Sequence, residues 1–379
     1  MDLTATDEQR QFADALARWA ARDYDFAARR AIVHSLAGVS PAAWTALAEL
    51  GMLALPVPAA QGGFDGTAAD VAVVMQALGR ALVVEPYLAT VMGAECLKLG
   101  GGHGLLLEQV GAGTLTLACA FGERQSRHDM RDIAATARCA GDGYILDGAK
   151  SVVIHGAEAG ALVVSARGPG TEAGAISLFV VPAGHPGVSV TGYRTLDGLR
   201  AADVRLDRVA LDAGALVGAP GAGWTILETV LDYGAALLCA EAVGAMEALF
   251  SATLDYLKTR KQFGAPLGKF QALQHRMADM AIHLEQARSL ALLAAATYAT
   301  GDAAARRRIV SAAKYRVGQA GRFVGQQAVQ LHGGMGVTDE LPAAHYFKRL
   351  AMIELTLGDA DHHLQRFIAQ PAFTAGSTR

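Results

Sequence analysis

Two stretches of this 379-residue sequence carry residue types that could act together on one ligand. The first is Arg260-Lys-Gln-Phe-Gly264 and the residues on to Gln271, set between two Ala/Leu-rich segments, 234–259 and 272–299, that read as helices. Phe263-Gly264 and Pro266 stop the first helix, and Leu267-Gly268 turns the chain into the second. The turn presents a guanidinium fork, an aromatic face and an amide, which suits a pyrophosphate joined to adenine. The same residues also read as an ordinary helix hairpin with solvated basic side chains. The second stretch, Gln330-Leu-His-Gly-Gly-Met-Gly336, runs on to Pro342 near the C-terminus.

In this order, on predicted helices and at this separation, the two stretches resemble the motifs of the acyl-CoA dehydrogenase family. The resemblance extends over nearly the whole chain. It implies FAD as cofactor, held by Arg260, Phe263, Gln271, Gln330, Gly333 and Gly334. The implied reaction is α,β-desaturation of an acyl-CoA thioester, in which a carboxylate removes the α proton while a hydride leaves the β carbon. Electron-transfer flavoprotein is the acceptor that the resemblance implies.

The carboxylate is missing where the resemblance places it. Leu357, followed by Gly358, stands at the usual base position, and a leucine takes no proton. Gly234, followed by Ala235, stands at the alternative one. Asp232 falls where the family has an Asp that helps hold CoA. Glu241 lies two helical turns beyond Gly234 on the same face, in an apolar stretch where burial would raise its pKa as a base requires. The plainer reading is a buried Glu paired with a neighbouring helix. Glu354 lies three residues before Leu357 and could reach a different cavity. Asp359, His362 and His363 could share a helix face and ligate a metal, or simply open a helix. His155 and His332 read as packed or hydrogen-bonded histidines, and Arg306-Arg-Arg308 as a solvated helix face.

The flavin residues divide as well. In the family dimer one subunit cradles the isoalloxazine and the other reaches across with the Arg, Phe, Gln and Gly-Gly set, which this chain keeps. The cradle is altered: its turn reads Gly122-Glu-Arg124, and Val152 and Ile154 stand at the Trp and Thr positions after Lys150. The 232–270 region and Leu357-Gly-Asp-Ala-Asp361 resemble the small subunit of pimeloyl-CoA dehydrogenase-type enzymes. That implies a heteromer in which a homologous partner supplies cradle and base, and half of the usual FAD sites are lost. The alternatives are a self-sufficient homomer using Glu241, a flavin oxidase on the same scaffold, or a scaffold without turnover.

The whole chain sets the frame for these residues. Its 379 residues give room for two or three domains. A hydrophobic share of 52% and a net charge of −3 leave no basic field for nucleic acid or anionic membrane. Cys96, Cys119, Cys139 and Cys239 have neither metal nor disulfide spacing, the start is unlike a signal peptide, and every long apolar run contains a charge. A cytosolic chain is the expectation.

The elements follow an α–β–α order. Thr4-Ala-Thr-Asp7 caps a helix with Phe12, Leu16 and Trp19 at helical spacing, and segments 43–52 and 68–82 repeat the pattern around a Gly/Pro-rich link at 56–66. Short β-rich runs then occupy 114–121, 144–148, 151–154, 161–166, 176–181 and 204–211, with Asp147-Gly148 as a hairpin signal. Gly221-Ala-Gly-Trp224 is a linker, since no Lys-Ser/Thr follows it. Helices are expected at 224–259, 266–299, 302–331 and 342–369. The fold class is α+β and acyl-CoA dehydrogenase-like: an N-terminal helical domain (1–112), a small antiparallel β-barrel or sandwich (113–213) and a C-terminal four-helix bundle (214–379).

Overall fold

A computed structural model describes residues 5–170 and 174–370; Thr4 lies outside them. Helices α1 Asp7–Asp23, α2 Phe26–His34, α3 Pro41–Glu49, α4 Ala68–Ala81, α5 Tyr87–Gly100 and α6 Gly104–Gly111 come first. Strands β1 Leu117–Ala120, β2 Thr136–Ala140, β3 Gly143–Ile154, β4 Ala161–Arg167, β5 Ile176–Pro182, β6 Val188–Arg194, β7 Arg200–Leu211 and β8 Leu216–Val217 follow. Then come α7 Gly223–Thr259, the two-residue strands β9 Lys261–Gln262 and β10 Ala265–Pro266, and α8 Gln271–Tyr298, α9 Ala303–His332, α10 Pro342–Leu355 and α11 Ala360–Ile368. Thr6 starts α1 with a capping box: its hydroxyl accepts from the Gln9 N–H, and the Gln9 side chain accepts from the Thr6 N–H.

The chain forms two compact units, one of Ala31–Thr67 with Val84–Gly234 and one of Met1–Arg30, Ala68–Val83 and Ala235–Arg379. In the first, the sheet order is β6-β7-β3-β2-β4-β5-β8, with β1 also on β4. Most neighbours are antiparallel, but β1 and β2 both run parallel to β4. Leu146, Leu162, Val164, Phe179, Val181 and Val204 fill the core of this sheet. Strands β4 and β5 are buried almost end to end, which is why they read as continuous apolar runs. The half-exposed β6, with Gly192 inside it, gives no such run and escaped the sequence reading, as did β2 and β8.

Asp147-Gly148 is no hairpin. It lies inside the continuous β3, where the register against β7 shifts. Gly148 has φ 149°, and a Cβ there would come within 2.5 Å of the Ala135 Cβ, so the glycine makes a bulge. Below it a buried ion pair crosslinks the unit. Lys150 Nζ donates to Glu123 at 2.7 Å, to the Ser165 hydroxyl at 3.1 Å and to the Phe121 carbonyl at 3.3 Å.

In the second unit α4 and α7 cross closely enough to require glycine on both sides. A Cβ at Gly79 would lie 2.1 Å from the Glu241 carbonyl, and one at Gly244 would lie 1.9 Å from the Gln76 carbonyl. The apolar length of α7 would suffice to cross a membrane, but 72% of its most apolar window is buried inside the protein, which accounts for its composition. Helix α9 packs on α8, α10 and α11. The helix expected over 342–369 is two helices, interrupted where Leu357 (φ 58°) and Gly358 (φ 104°) both take positive φ. The three arginines expected on a solvated face also separate: Arg306 is buried and Arg308 exposed. At 100° per residue, three consecutive side chains cannot share one face.

Burial pushes the Glu123 carboxyl up, but bonds from Lys150, Gln125 and the Ala134 N–H hold it below the ordinary carboxylate range. Such a group adds stability above the unfolded-state pKa and loses it as pH falls through the folded one. Lys150→Met therefore costs about 3–5 kcal/mol in denaturant unfolding at neutral pH, and its deficit narrows as pH falls and the buried carboxyl is protonated. Replacing both partners with apolar residues costs less than the single change.

Candidate cofactor-binding shelf

Helix α7 ends at a β-turn that closes on itself: the Leu267 N–H donates to the Arg260 carbonyl at 2.9 Å, and β9 pairs with β10. Both tip residues take positive φ, Phe263 at 53° and Gly264 at 79°. This is the two-residue hairpin geometry that normally selects Asn-Gly or Asp-Gly. A phenylalanine there is strained by about 1–3 kcal/mol, and its ring is 91% exposed. Its aromatic neighbour is Phe270, edge-on with centroids 6.1 Å apart. Neither backbone preference nor burial accounts for a phenylalanine at this tip.

The second stretch is brought beside the first by the ends of α7 and α9. Tyr256, whose carbonyl accepts from the Arg260 N–H, has its ring centroid 4.5 Å from that of His332. The Tyr256 hydroxyl donates to the His332 carbonyl at 3.4 Å, and His332 Nδ1 bonds the Ala328 carbonyl at 2.8 Å. Gly333 follows at φ 62° and begins a 3₁₀ turn to Val337. Arg276 of α8 bonds the Gln327 side chain of α9 at 2.6 Å. The helix ends thus form one shelf on which Arg260, Phe263, Gln271, Gln330, Gly333 and Gly334 are all exposed. Tyr256, His332 and Phe270, which join its parts, were not read as site residues; the i−4 spacing of Tyr256 from Arg260 was the available signal.

The glycines of the shelf point outward. A Cβ on Gly264, Gly333 or Gly334 would meet nothing within 4 Å. For Gly334, whose φ is not positive, neither packing nor backbone conformation within the chain calls for glycine. Close approach by something outside the chain would. With Arg260, Lys261 and Lys269 exposed around a free aromatic face, the shelf fits a pyrophosphate and a flat heterocycle.

The cradle positions, in the other unit, do not fit a flavin ring in the same way. The Glu123 carboxylate of the 122–124 turn is taken up by Lys150, by Gln125 at 2.8 Å and by the Ala134 and Ala135 N–H groups. Val152 offers no aromatic plane; it is 56% exposed, with φ 54°. Ile154 has no hydroxyl and packs on the cluster of Val33, Val84 and Leu199. His155 is buried, 3.8 Å from Glu158.

The remaining candidates are engaged elsewhere. Arg349 grips both oxygens of Glu241, at 2.5 and 2.7 Å, so this carboxylate is the paired one of the two readings. Glu354 accepts from Arg322 at 3.0 Å and from the Ala360 N–H at 3.3 Å. Asp359 caps α11 by accepting the His362 N–H at 2.8 Å, and His363 Nε2 bonds the Leu357 carbonyl at 3.0 Å. Among the described residues no three His, Cys, Asp or Glu side chains group to hold a metal. Asp232 is only 1% exposed, and Gly234 is buried in α7.

Comparison with known proteins assigns the chain. The acyl-CoA dehydrogenase N-terminal, middle and C-terminal domain families match residues 6–102, 118–209 and 221–370. This chain belongs to the acyl-CoA dehydrogenase family. Acyl-CoA dehydrogenase FadE12 of Mycobacterium tuberculosis is 32% identical over 310 residues, 79% of this chain and 80% of that protein. Two solved structures are similar over nearly the full length. The Tcur3481-Tcur3483 steroid ACAD has a TM-score of 0.89 at 30% identity, covering 98% of this chain and 99% of that one. The ChsE4-ChsE5 complex from Mycobacterium tuberculosis has 0.88 at 26%, covering all of both chains. The acyl-CoA dehydrogenases are FAD-dependent oxidoreductases of the acyl CH–CH bond, and the helical–β–helical order of this chain is their fold.

Glu241→Gln breaks a buried pair and is expected to cost about 3–5 kcal/mol of stability. Turnover per folded molecule of the assembled enzyme stays within twofold; loss of turnover with FAD still bound would restore Glu241 as the base.

Proposed function

We propose that this acyl-CoA dehydrogenase chain is the subunit without a base, and that it supplies the adenosine and pyrophosphate side of FAD sites completed by a homologous partner. The observation that carries this reading is the pairing of an exposed, strained, outward-facing shelf with base positions occupied by Leu357 and Gly234. The bidentate hold of Arg349 on Glu241 adds to it. A homomer duplicates each site by symmetry, so a chain offering one half of a site requires a different chain for the other. Two neighbours carry paired names, Tcur3481-Tcur3483 and ChsE4-ChsE5, which supports a two-chain assembly. In this reading the chain is of the same type as the small subunit of pimeloyl-CoA dehydrogenase-type enzymes.

In this reading Arg260 binds the pyrophosphate through its guanidinium, Phe263 covers a face of the cofactor, and Gln271 and Gln330 orient it by amide hydrogen bonds. Gly333 and Gly334 let it approach the backbone. Bound FAD supplies the acceptor for the hydride of the acyl β carbon, and the partner supplies the base for the α proton. Electron-transfer flavoprotein takes the electrons onward.

Purified alone, the chain is expected to be colourless, or to hold flavin that acyl-CoA thioesters do not bleach. Co-expressed with its homologous partner, it should give heteromers in native mass spectrometry with half as many FAD molecules as chains. A yellow chain that bleaches by itself, or only homomers from the pair, overturns the proposal. Phe263→Asn separates the two roles of the tip: the melting temperature of the chain holds or rises, while FAD retention by the heteromer falls about tenfold.

A further inference from the structure

The helical unit holds a second concavity, away from the shelf. A cleft of about 710 Å³ lies between α1, α4, α7 and α8, walled by Ala13, Ala17, Ala72, Ala240, Ala291 and Ala295 among others. On α7 its residues Ala240, Val243 and Glu247 point to the side opposite Gly234, at 100° per residue. It therefore lies across that helix from Gly234, the alternative base position that the family resemblance implies.

Its size is that of a small-molecule site, and its walls are rich in alanine, with larger side chains such as Leu82, Leu292 and Tyr346 among them, so the gap between the helices is not closed. The helices are held by contacts beside the cleft: Gln9 bonds Asp70 at 2.8 Å between α1 and α4, and the paired glycines lock α4 on α7. Apolar wall left facing water is unfavourable, and an apolar ligand would recover that free energy.

One end of the cleft is charged. The Glu247 carboxylate accepts from Gln76 at 2.9 Å, Arg288 at 2.9 Å and Arg80 at 3.3 Å. Two guanidiniums on one carboxylate leave a positive surplus, although Arg288 also lies 3.4 Å from the more exposed Glu285. The Arg288 Nε–H is buried and has no acceptor among the described residues. A donor in that state gains from an incoming anionic oxygen.

We propose that this alanine-walled cleft binds a carboxylate amphiphile, with its head on Arg288 and Arg80 and its hydrocarbon body along Ala72, Ala240 and Ala291. The test is calorimetric titration of the purified full-length chain with dodecanoate, with dodecyltrimethylammonium as the charge control. Dodecanoate should bind one per chain, and the cationic amphiphile should not. Arg288→Gln should weaken dodecanoate about tenfold. Ala291→Trp should abolish binding by filling the cleft; Ala17→Phe, at an exposed wall position, should do so without entering the core. Binding should persist in Phe263→Asn, which separates this site from the cofactor shelf. Absence of dodecanoate binding, equal binding of both amphiphiles, or binding unchanged in Arg288→Gln and Ala17→Phe overturns the proposal.

Discussion

A buried ammonium fixes the part of the helical unit where the family's chemistry would sit. Lys314 on α9 donates to the carbonyls of Ile353 at 2.8 Å, Glu354 at 3.0 Å and Gly358 at 2.8 Å. The last carbonyls of a helix have no partners within it and carry the negative end of its dipole. A cation placed there satisfies them and ends α10. Burial pushes the pKa of Lys314 down to about 8, so at neutral pH the amine keeps the protons it donates. Asp359 then opens α11, and the chain between is held in the positive-φ turn that carries Leu357. The same α10 is tied to α7 by Arg349 and Glu241. The turn that carries Leu357 is thus framed by charged groups engaged with one another and with backbone carbonyls.

Strain marks the same functional geography. Eight described non-glycine residues have positive φ, and three of them are Val152, Phe263 and Leu357. These are the cradle, shelf and base positions implied by the family motifs. A β-branched or bulky residue in this region is costly, and it persists only where surrounding structure over-determines the backbone. On the proposed reading, Val152 and Leu357 keep the conformation without the side chain that would use it, whereas Phe263 has both the conformation and an exposed aromatic face.

The long helices and the two motif stretches were legible because their signals are local: continuous apolar periodicity, a Phe-Gly stop, a Gly-Gly cap. Joining the stretches into one shelf took Tyr256 and His332, a long-range contact that no local pattern announces. The bulge at Gly148 imitated a hairpin because Asp-Gly serves both, and only the close approach of Ala135 distinguishes them. The break at 356–359 was hidden because its cause, Lys314, lies some forty residues earlier. The cleft escaped because alanine is both a good helix former and a poor space filler. Its alternation on four separate helices is ordinary on each and informative only when they face one another.

On the proposed reading, positions 357 and 263 differ in what they do to the chain alone. A carboxylate at position 357 would sit half-buried beside Lys314-bonded backbone, and an unpaired one costs desolvation free energy that leucine does not. Leucine at 357 leaves the isolated chain no worse off. Phe263 does the opposite: an exposed ring on a strained backbone lowers the stability of the free chain, and glycine or asparagine would serve the hairpin better. A residue unfavourable by itself is accounted for when its gain is realised in an assembly, where burial against cofactor or partner returns more than the strain removes. That difference in sign is what the proposed shared site requires of Phe263.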